Sequence, residues 1–268
     1  MNNVDFAVIG GDRRMSLLAE MLGKRGKCEH LLKNGELLPE NITAETVILP
    51  IPCSFDGVLL NCAGNAPTLA ELAARVNARY AFGGRIPEAV KTTLRARGAT
   101  VCDLLEDEAL LIKNALLTAE GALGIIISET SRAVLGARIL VFGYGRVGKA
   151  LAHVLVPLGA DVLAVARKPE QLACAECDGC TPVPFSEASA YMGGVHVICN
   201  TAPACVLDKV ASADAVFIEL ASGGYNAECA KKAGMRFINA QGLPGKTAPE
   251  SAAKIIYDRI TDLLMRQI

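Results

Sequence analysis

Gly143-Tyr144-Gly145-Arg146-Val147-Gly148 closes an apolar run, Ile139–Phe142, and opens an apolar-periodic segment, Val147–Leu158. Glycines at this spacing, between a buried strand and a helix, form a dinucleotide-binding turn. Gly143 permits the sharp turn, Gly145 lets backbone approach a pyrophosphate, and Gly148 lets helix and strand pack closely. The helix start adds unpaired N–H groups and the positive end of a dipole. Tyr144, Arg146 and Val147 ride on the same turn and are candidate cofactor contacts. A second strand, Asp161–Ala166, follows at the distance expected for a strand–helix–strand unit. An NAD enzyme usually carries an acid at its end, for the ribose 2′-hydroxyl. This chain has Arg167 and Lys168 there. Two cations without a carboxylate suit a 2′-phosphate, which favours NADP; a solvated surface pair is the alternative.

A second glycine turn lies near the start. Phe6–Ile9 runs into Gly10-Gly11-Asp12-Arg13-Arg14, and a helical pattern follows over Met15–Leu22. Arginines at a strand's carboxyl end read equally as an anion site or as two surface cations. Further on, Asn114, Thr118 and Gly121 fall four and three apart, so they share one helix face, with Glu120 off that line. That face gathers an amide, a hydroxyl and a gap without a side chain, as the spine of a cleft would; the alternative, favoured by spacing alone, is that these polar residues face water.

Other candidate chemistry is thin. Cys174, Cys177 and Cys180 have ligand-like spacing, but no fourth ligand is evident. They read as reduced thiols of a surface loop, and no metal is expected. Cys62, Cys102 and Cys199 sit in apolar runs and read as small buried hydrophobes. His30 lies in a polar stretch, His153 within a helix and His196 at a strand's start. None is placed at a strand's carboxyl end, so no histidine base is indicated.

The elements that must position these residues alternate. Strands are predicted at Thr46–Pro50, Tyr80–Phe82 and Thr100–Leu104, with helices over Thr68–Ala78 and Pro87–Arg97 and an irregular stretch from Leu31 to Glu45. One long helical pattern spans Glu106 to Leu135. After the cysteine-bearing loop come a short helix, Ser186–Tyr191, and strands at His196–Cys199, Ala215–Leu220 and Arg236–Asn239. Those strands end in Asn200-Thr201-Ala202-Pro203, Ala221-Ser222-Gly223-Gly224 and Gln241–Lys246. Ligand crevices of open α/β sheets lie at such ends. The pattern predicts an α/β protein with two doubly wound, parallel-sheet, Rossmann-like domains, joined by the long helix with a cleft between them. The expected division is a flavodoxin- or Rossmann-like domain over 1–118 and an NADP-binding Rossmann domain over 119–247. A closing helix, Ala248–Met265 within 248–268, is expected to return to the first domain.

Composition narrows the partners. Of 268 residues 51% are apolar, the net charge is −1 and Trp is absent. Neither nucleic acid nor an anionic membrane surface is favoured. No apolar run is read as approaching the roughly 18 residues of a bilayer span. MNNVDFAVIG lacks a signal-peptide pattern, so a cytoplasmic protein is expected.

Beyond these readings the chain resembles the A-subunit family of dipicolinate synthases of spore-forming bacteria. The matching pieces are VIGGDRR (Val8–Arg14), NALLTAEGA (Asn114–Ala122), VFGYGRVGKALA (Val141–Ala152), CNTAPACVLD (Cys199–Asp208), ELAS (Glu219–Ser222) and GLPGKTAPESAAKII (Gly242–Ile256). The resemblance implies oxidation of a dihydrodipicolinate-type precursor to pyridine-2,6-dicarboxylate during sporulation, in the mother cell, with NADP as hydride acceptor. It implies that the partner is the flavoprotein-like B subunit of dipicolinate synthase, and leaves a homo-oligomer open. It makes Arg14 the first choice as carboxylate clamp, with Arg13 beside it. It places Asn114, Thr118 and Glu120 along the cleft, and Thr201, Ala202, Pro203, Ser222, Gly242 and Leu243 around the nicotinamide or substrate. Glu120 and Asp12 are the carboxylates that could take a ring proton. The chain departs from the family at Gly223-Gly224-Tyr225-Asn226, where the usual proline and acid are missing, and at Glu219, usually aspartate. The rival readings are another two-domain NADP dehydrogenase of a small carboxylic acid, and a non-catalytic NADP-sensing regulatory protein.

Overall fold

The structure, a computed structural model, describes residues 4–207, 215–223 and 226–266. Asp208, Gly224 and Tyr225 of the motifs above lie outside the described residues. The chain divides into two units. One comprises Met1–Lys113 and Ala248–Ile268, the other Asn114–Thr247.

The first unit is built on β1 (Phe6–Ile9), α1 (Arg13–Gly23), β2 (Cys28–Leu31), β3 (Ile42–Thr43), β4 (Thr46–Ile48), α2 (Leu69–Arg75), β5 (Val76–Asn77), β6 (Tyr80–Gly83), α3 (Glu88–Ala96) and β7 (Thr100–Asp103). Its main sheet is parallel in the order β2-β1-β4-β6-β7, the flavodoxin-like winding; β3 and β5 form a separate two-stranded ladder. Strand β1 is apolar throughout because both its faces are covered. Ala7 and Ile9 enter one core, with Val47 and Leu72, while Phe6 and Val8 enter another, with Leu18 and Ile256. The sequence pattern does not predict β2. It is a sheet edge with half-exposed residues, so it lacks the apolar run that marks an interior strand. It also carries His30 near its carboxyl end, which corrects the reading that no histidine is placed at the carboxyl end of a strand.

α4 (Glu108–Glu129) begins in the first unit and continues in the second. It is shorter than the pattern suggests, because the Thr130 hydroxyl and N–H both donate to the Ile126 carbonyl and close its end. By length and composition it could cross a bilayer, which corrects the reading that no apolar run is long enough. Here its Ala115, Ala119, Ala122 and Ile126 are buried in a core.

The second unit continues with β8 (Arg138–Phe142), α5 (Arg146–Leu155), β9 (Asp161–Ala166), α6 (Pro169–Cys177), β10 (Thr181–Pro184), a 3-10 helix (Phe185–Tyr191), β11 (Val197–Asn200), β12 (Val216–Glu219), α7 (Ala227–Lys232), β13 (Arg236–Asn239) and α8 (Leu243–Thr247). The sheet order is β10-β9-β8-β11-β12-β13, all parallel, which is the dinucleotide-binding winding. In β8, Ile139 and Val141 face the core under α4 and α5, while Leu140 and Phe142 face the opposite one. The cysteine-bearing stretch is helix α6, not a surface loop. Pro169 starts it and Gly179, at φ +81°, follows its end. Cys174 packs on the core and Cys180 is buried, while Cys177 is exposed on the helix surface. Among the described residues no three His, Cys, Asp or Glu converge as a metal would require.

The closing helix α9 (Pro249–Arg266) packs on α1 in the first unit, burying Ile256 and Ile260. Arg259 also donates from Nε to Asp107 Oδ2 at 2.6 Å. Burial works against a charged Asp107, but Arg259 and the Leu110 N–H outweigh it and hold the carboxyl below its ordinary value. A depressed carboxyl contributes stability above its unfolded value, about 3.9, and loses it as pH falls through the folded one. Asp107→Asn is therefore expected to lower stability by about 2 kcal/mol at pH 7. The gap from wild type should close as urea melts are taken below about pH 4. A gap independent of pH would assign the loss to packing.

Candidate functional site: a glycine turn and three cations at a strand-order reversal

The order of the second sheet reverses between β8 and β11, and a crevice opens outside strand ends at such a point. A cavity of about 460 Å³ lies there. Its lining includes Gly143–Val147, Arg167, Lys168, Gln171, Phe185 and Thr201–Ala204.

Each glycine of the turn has its own physical reason. Gly143 sits at φ +90°, and a Cβ there would meet Thr201 Oγ1 at 2.7 Å. Thr201 does not offer its hydroxyl to the cavity. It donates to the Phe142 and Gly143 carbonyls at 2.9 and 3.0 Å and pins the turn. A Cβ on Gly148 would meet the Gly143 carbonyl oxygen at 2.1 Å, so α5 can start this close to β8 only without a side chain there. Gly145 differs. It has no positive φ, and a Cβ on it would meet nothing within 4 Å. Packing within the chain does not require this glycine, whereas close approach of a ligand to the backbone does. It is also the N-cap of α5 and provides no side-chain cap to the helix N–H groups.

Tyr144 departs from expectation. Its side chain is buried, and its hydroxyl donates to Asp178 Oδ2 at 2.7 Å beside Cys180. Burial, then the bond to Asp178, push the phenol well above its ordinary value. It anchors the turn to the end of α6.

The cavity lining holds Arg146, Arg167 and Lys168 and no carboxylate. Arg167 and Lys168 are exposed at the end of β9, and the Arg167 guanidinium lies 4.7 Å from the centre of the Phe185 ring. That stacking restrains a long side chain at the rim. Turn, helix start and cation set fit a dinucleotide.

The loop after β11 is held from behind by a network that motif spacing does not reveal. Glu219 is fully buried at the end of β12. Its Oε1 accepts from Asn200 Nδ2 at 2.8 Å and from the Ala221 N–H at 3.2 Å, and its Oε2 from Asn226 Nδ2 at 2.7 Å. Burial pushes this carboxyl above its ordinary value, and the three donors pull against that. The available sequence signal is an acid closing an apolar strand.

Ser222 is exposed just after β12, and Pro203 lines the cavity. Gly242 takes φ +69° in a turn, but Leu243 is buried in the core. On α4, Gly121 does not leave a gap: a Cβ there would meet Thr247 Oγ1 at 2.8 Å and Leu243 Cβ at 3.1 Å. Thr118 is buried rather than water-facing, and its hydroxyl donates to the Asn114 carbonyl. Glu120 is exposed and lacks the burial that a carboxylate base near neutral pH requires.

In the first unit the order reverses between β1 and β4, and the Gly10–Arg14 turn follows β1 there. Asp12 is the N-cap of α1 and accepts from the Arg14 N–H. It also forks onto the Arg14 side chain at 2.7–3.0 Å, while Arg14 Nη2 donates to the Ile51 carbonyl at 2.6 Å. Asp12 is thus a cap and an orienting partner for Arg14, not a carboxylate waiting for a proton. Arg13 is exposed. His30 Nε2 lies 3.0 Å from the Gly10 carbonyl, so that nitrogen carries the proton.

No protein-family model matches the chain. It is 30% identical over 167 residues to the A subunit of dipicolinate synthase from Bacillus subtilis (strain 168), across 60% of this chain and 56% of that protein. The match thus spans little more than half the length of that relative. The crystal structure of the dipicolinate synthase A subunit from Bacillus halodurans superposes with a TM-score of 0.80 at 27% identity, covering 97% of both chains. In sequence and in fold this chain is similar to the dipicolinate synthase A subunits. A more distant likeness, to the NAD-dependent formate dehydrogenase from Staphylococcus aureus in complex with NAD, has a TM-score of 0.59 at 14% identity over 98% of this chain and 95% of that one. It shows the fold alone, a two-domain dehydrogenase fold.

Proposed function

We propose that the chain is a nicotinamide-dependent oxidoreductase of the dipicolinate synthase type. It oxidises a dihydrodipicolinate-type precursor to pyridine-2,6-dicarboxylate, with NADP as acceptor. Its partner is the flavoprotein-like B subunit, and it works in the cytoplasm of a sporulating mother cell. The observation that carries this reading is the cavity at the strand-order reversal, where Gly145 is bare and the lining carries Arg146, Arg167 and Lys168 but no carboxylate.

When bound, the nicotinamide supplies a hydride acceptor. The chain's residues do the rest. The 143–148 turn and the start of α5 hold the pyrophosphate, and Arg167 with Lys168 bind the 2′-phosphate. Arg14, aimed by Asp12 and Ile51, keeps Nη1 for a substrate carboxylate. With Asp12 committed and Glu120 exposed, the ring proton goes to water. Aromatisation of the ring makes the oxidation favourable without a strong base.

The test supplies purified chain with NADP and dihydrodipicolinate generated in situ, and follows dipicolinate by ultraviolet absorbance with and without the B subunit. Product formation, with the B subunit or alone, is expected. Tight NADP binding without product in either case would instead favour an NADP-sensing regulatory protein.

A further inference from the structure

On the reading that this cavity takes a nicotinamide dinucleotide, we propose that buried Glu219 is a positioning residue for it, acting through Asn200 and Asn226 on the loop that forms one wall. The Glu219 carboxyl bonds to no cavity-lining residue directly; its partners are Asn200 at the end of β11, the Ala221 N–H just after β12 and Asn226, the N-cap of α7. Asn200, held through Nδ2, accepts from the Ala202 N–H at 3.1 Å and donates to the Ala202 carbonyl at 3.0 Å. Asn226, held through its own Nδ2, accepts from the Val206 and Leu207 N–H groups at 2.8 and 3.3 Å and donates to the Ala204 carbonyl at 3.1 Å. Ala202, Ala204 and Val206 all line the cavity. The described stretch 202–207 is therefore held at both of its ends by two side-chain amides, and one carboxyl fixes the orientation of both. The Ala221 N–H bonded to Glu219 adds the end of β12, and the Ala221 carbonyl accepts from Gln241 Nε2 at 2.8 Å beyond β13.

Neither amide can turn over without loss. In each, the oxygen faces backbone N–H donors and the nitrogen faces acceptors, so a flip would set like against like at several contacts. The hub needs an acceptor at both carboxyl oxygens. Glutamine at 219 has nearly the same shape but presents an NH2 to either Asn226 or the Asn200–Ala221 pair. One buried bond must break, and the loop end it held is released.

The experiment measures dissociation constants for NADP and NAD by calorimetry, in wild type and Glu219→Gln, well below either melting temperature. About tenfold weaker binding of both dinucleotides is expected, the equivalent of roughly 1.4 kcal/mol. Both should weaken alike, because the wall formed by the loop is not the Arg167–Lys168 end. Unchanged constants with only a lower melting temperature would overturn the proposal and leave the network a stability element. Should the variant not fold, hydrogen exchange on the wild type decides. Saturating NADP should slow the amides of Leu207 and Ala221, which are bonded to the network but lie outside the lining; unchanged exchange at both would refute the coupling. A wild type that binds neither dinucleotide would sink the cavity reading and this proposal together, and differs visibly from failure of the network alone.

Discussion

Gly148→Ala is expected to weaken dinucleotide binding by about a hundredfold and to destabilise the second unit by roughly 1–3 kcal/mol. The added Cβ would stand 2.1 Å from the Gly143 carbonyl oxygen and 3.1 Å from its carbonyl carbon, and both are backbone. No rotamer change relieves such a contact. The start of α5 must move away from the turn, and the turn is itself held by Thr201 on Phe142 and Gly143. The anion-binding N–H groups then no longer converge. Gly145→Ala is the control. Its Cβ meets nothing in the chain, so the melting temperature should hold while affinity falls, because the methyl enters the space that a pyrophosphate needs. Calorimetric dissociation constants and thermal melts of both variants test the pair. Equal affinity in Gly145→Ala and wild type would show that the turn does not approach a ligand.

The second large effect concerns cofactor choice. Arg167→Ala with Lys168→Ala is expected to weaken NADP binding about a hundredfold or more while changing NAD binding less than about threefold. Two charge-assisted contacts to a phosphate contribute roughly 1.5–3 kcal/mol each. Without a carboxylate in the lining, nothing opposes the phosphate or favours the bare ribose. Arg167→Asp should go further and reverse the preference, since an acid at this strand end can accept from the ribose hydroxyls. Equal losses for both dinucleotides would move the cations to the pyrophosphate and withdraw the NADP assignment.

Sequence reading succeeds where a residue's role is decided within a few neighbours. The strand–turn–helix at Ile139–Leu155 is legible because an apolar run, glycine spacing and helical period all occur within one local unit. The left-handed φ of Gly143 and the blocked Cβ of Gly148 are consequences of that unit alone. The two parallel sheets follow from alternation of elements. Edge strands escape. β2 is half exposed, and β10 has prolines in it that only an edge tolerates. Helix α6 escapes because its closely spaced cysteines and the glycine after them read as a surface loop, whereas Cys174 packs on the core from a helix and Cys177 faces outward.

Residues that owe their role to distant partners are misread. Leu243 belongs to a flexible-looking Gly-Leu-Pro-Gly stretch, yet it packs against Gly121 and is buried. Asp12 reads as a free carboxylate until its neighbour Arg14 is drawn onto Ile51, which follows β4. Glu219 reads as a family variant in a motif. The amino-acid order by itself determined the nucleotide turn, its cations and the class of fold, because these depend on spacing along one segment. Only the tertiary structure decided what stands behind the cavity wall: residues 200, 219 and 226 meet because parallel pairing sets Asn200 of β11 beside Glu219 of β12, and Asn226, the N-cap of α7, reaches the same carboxyl. A buried carboxyl takes its meaning from the donors around it, and sheet order, not sequence distance, supplies them.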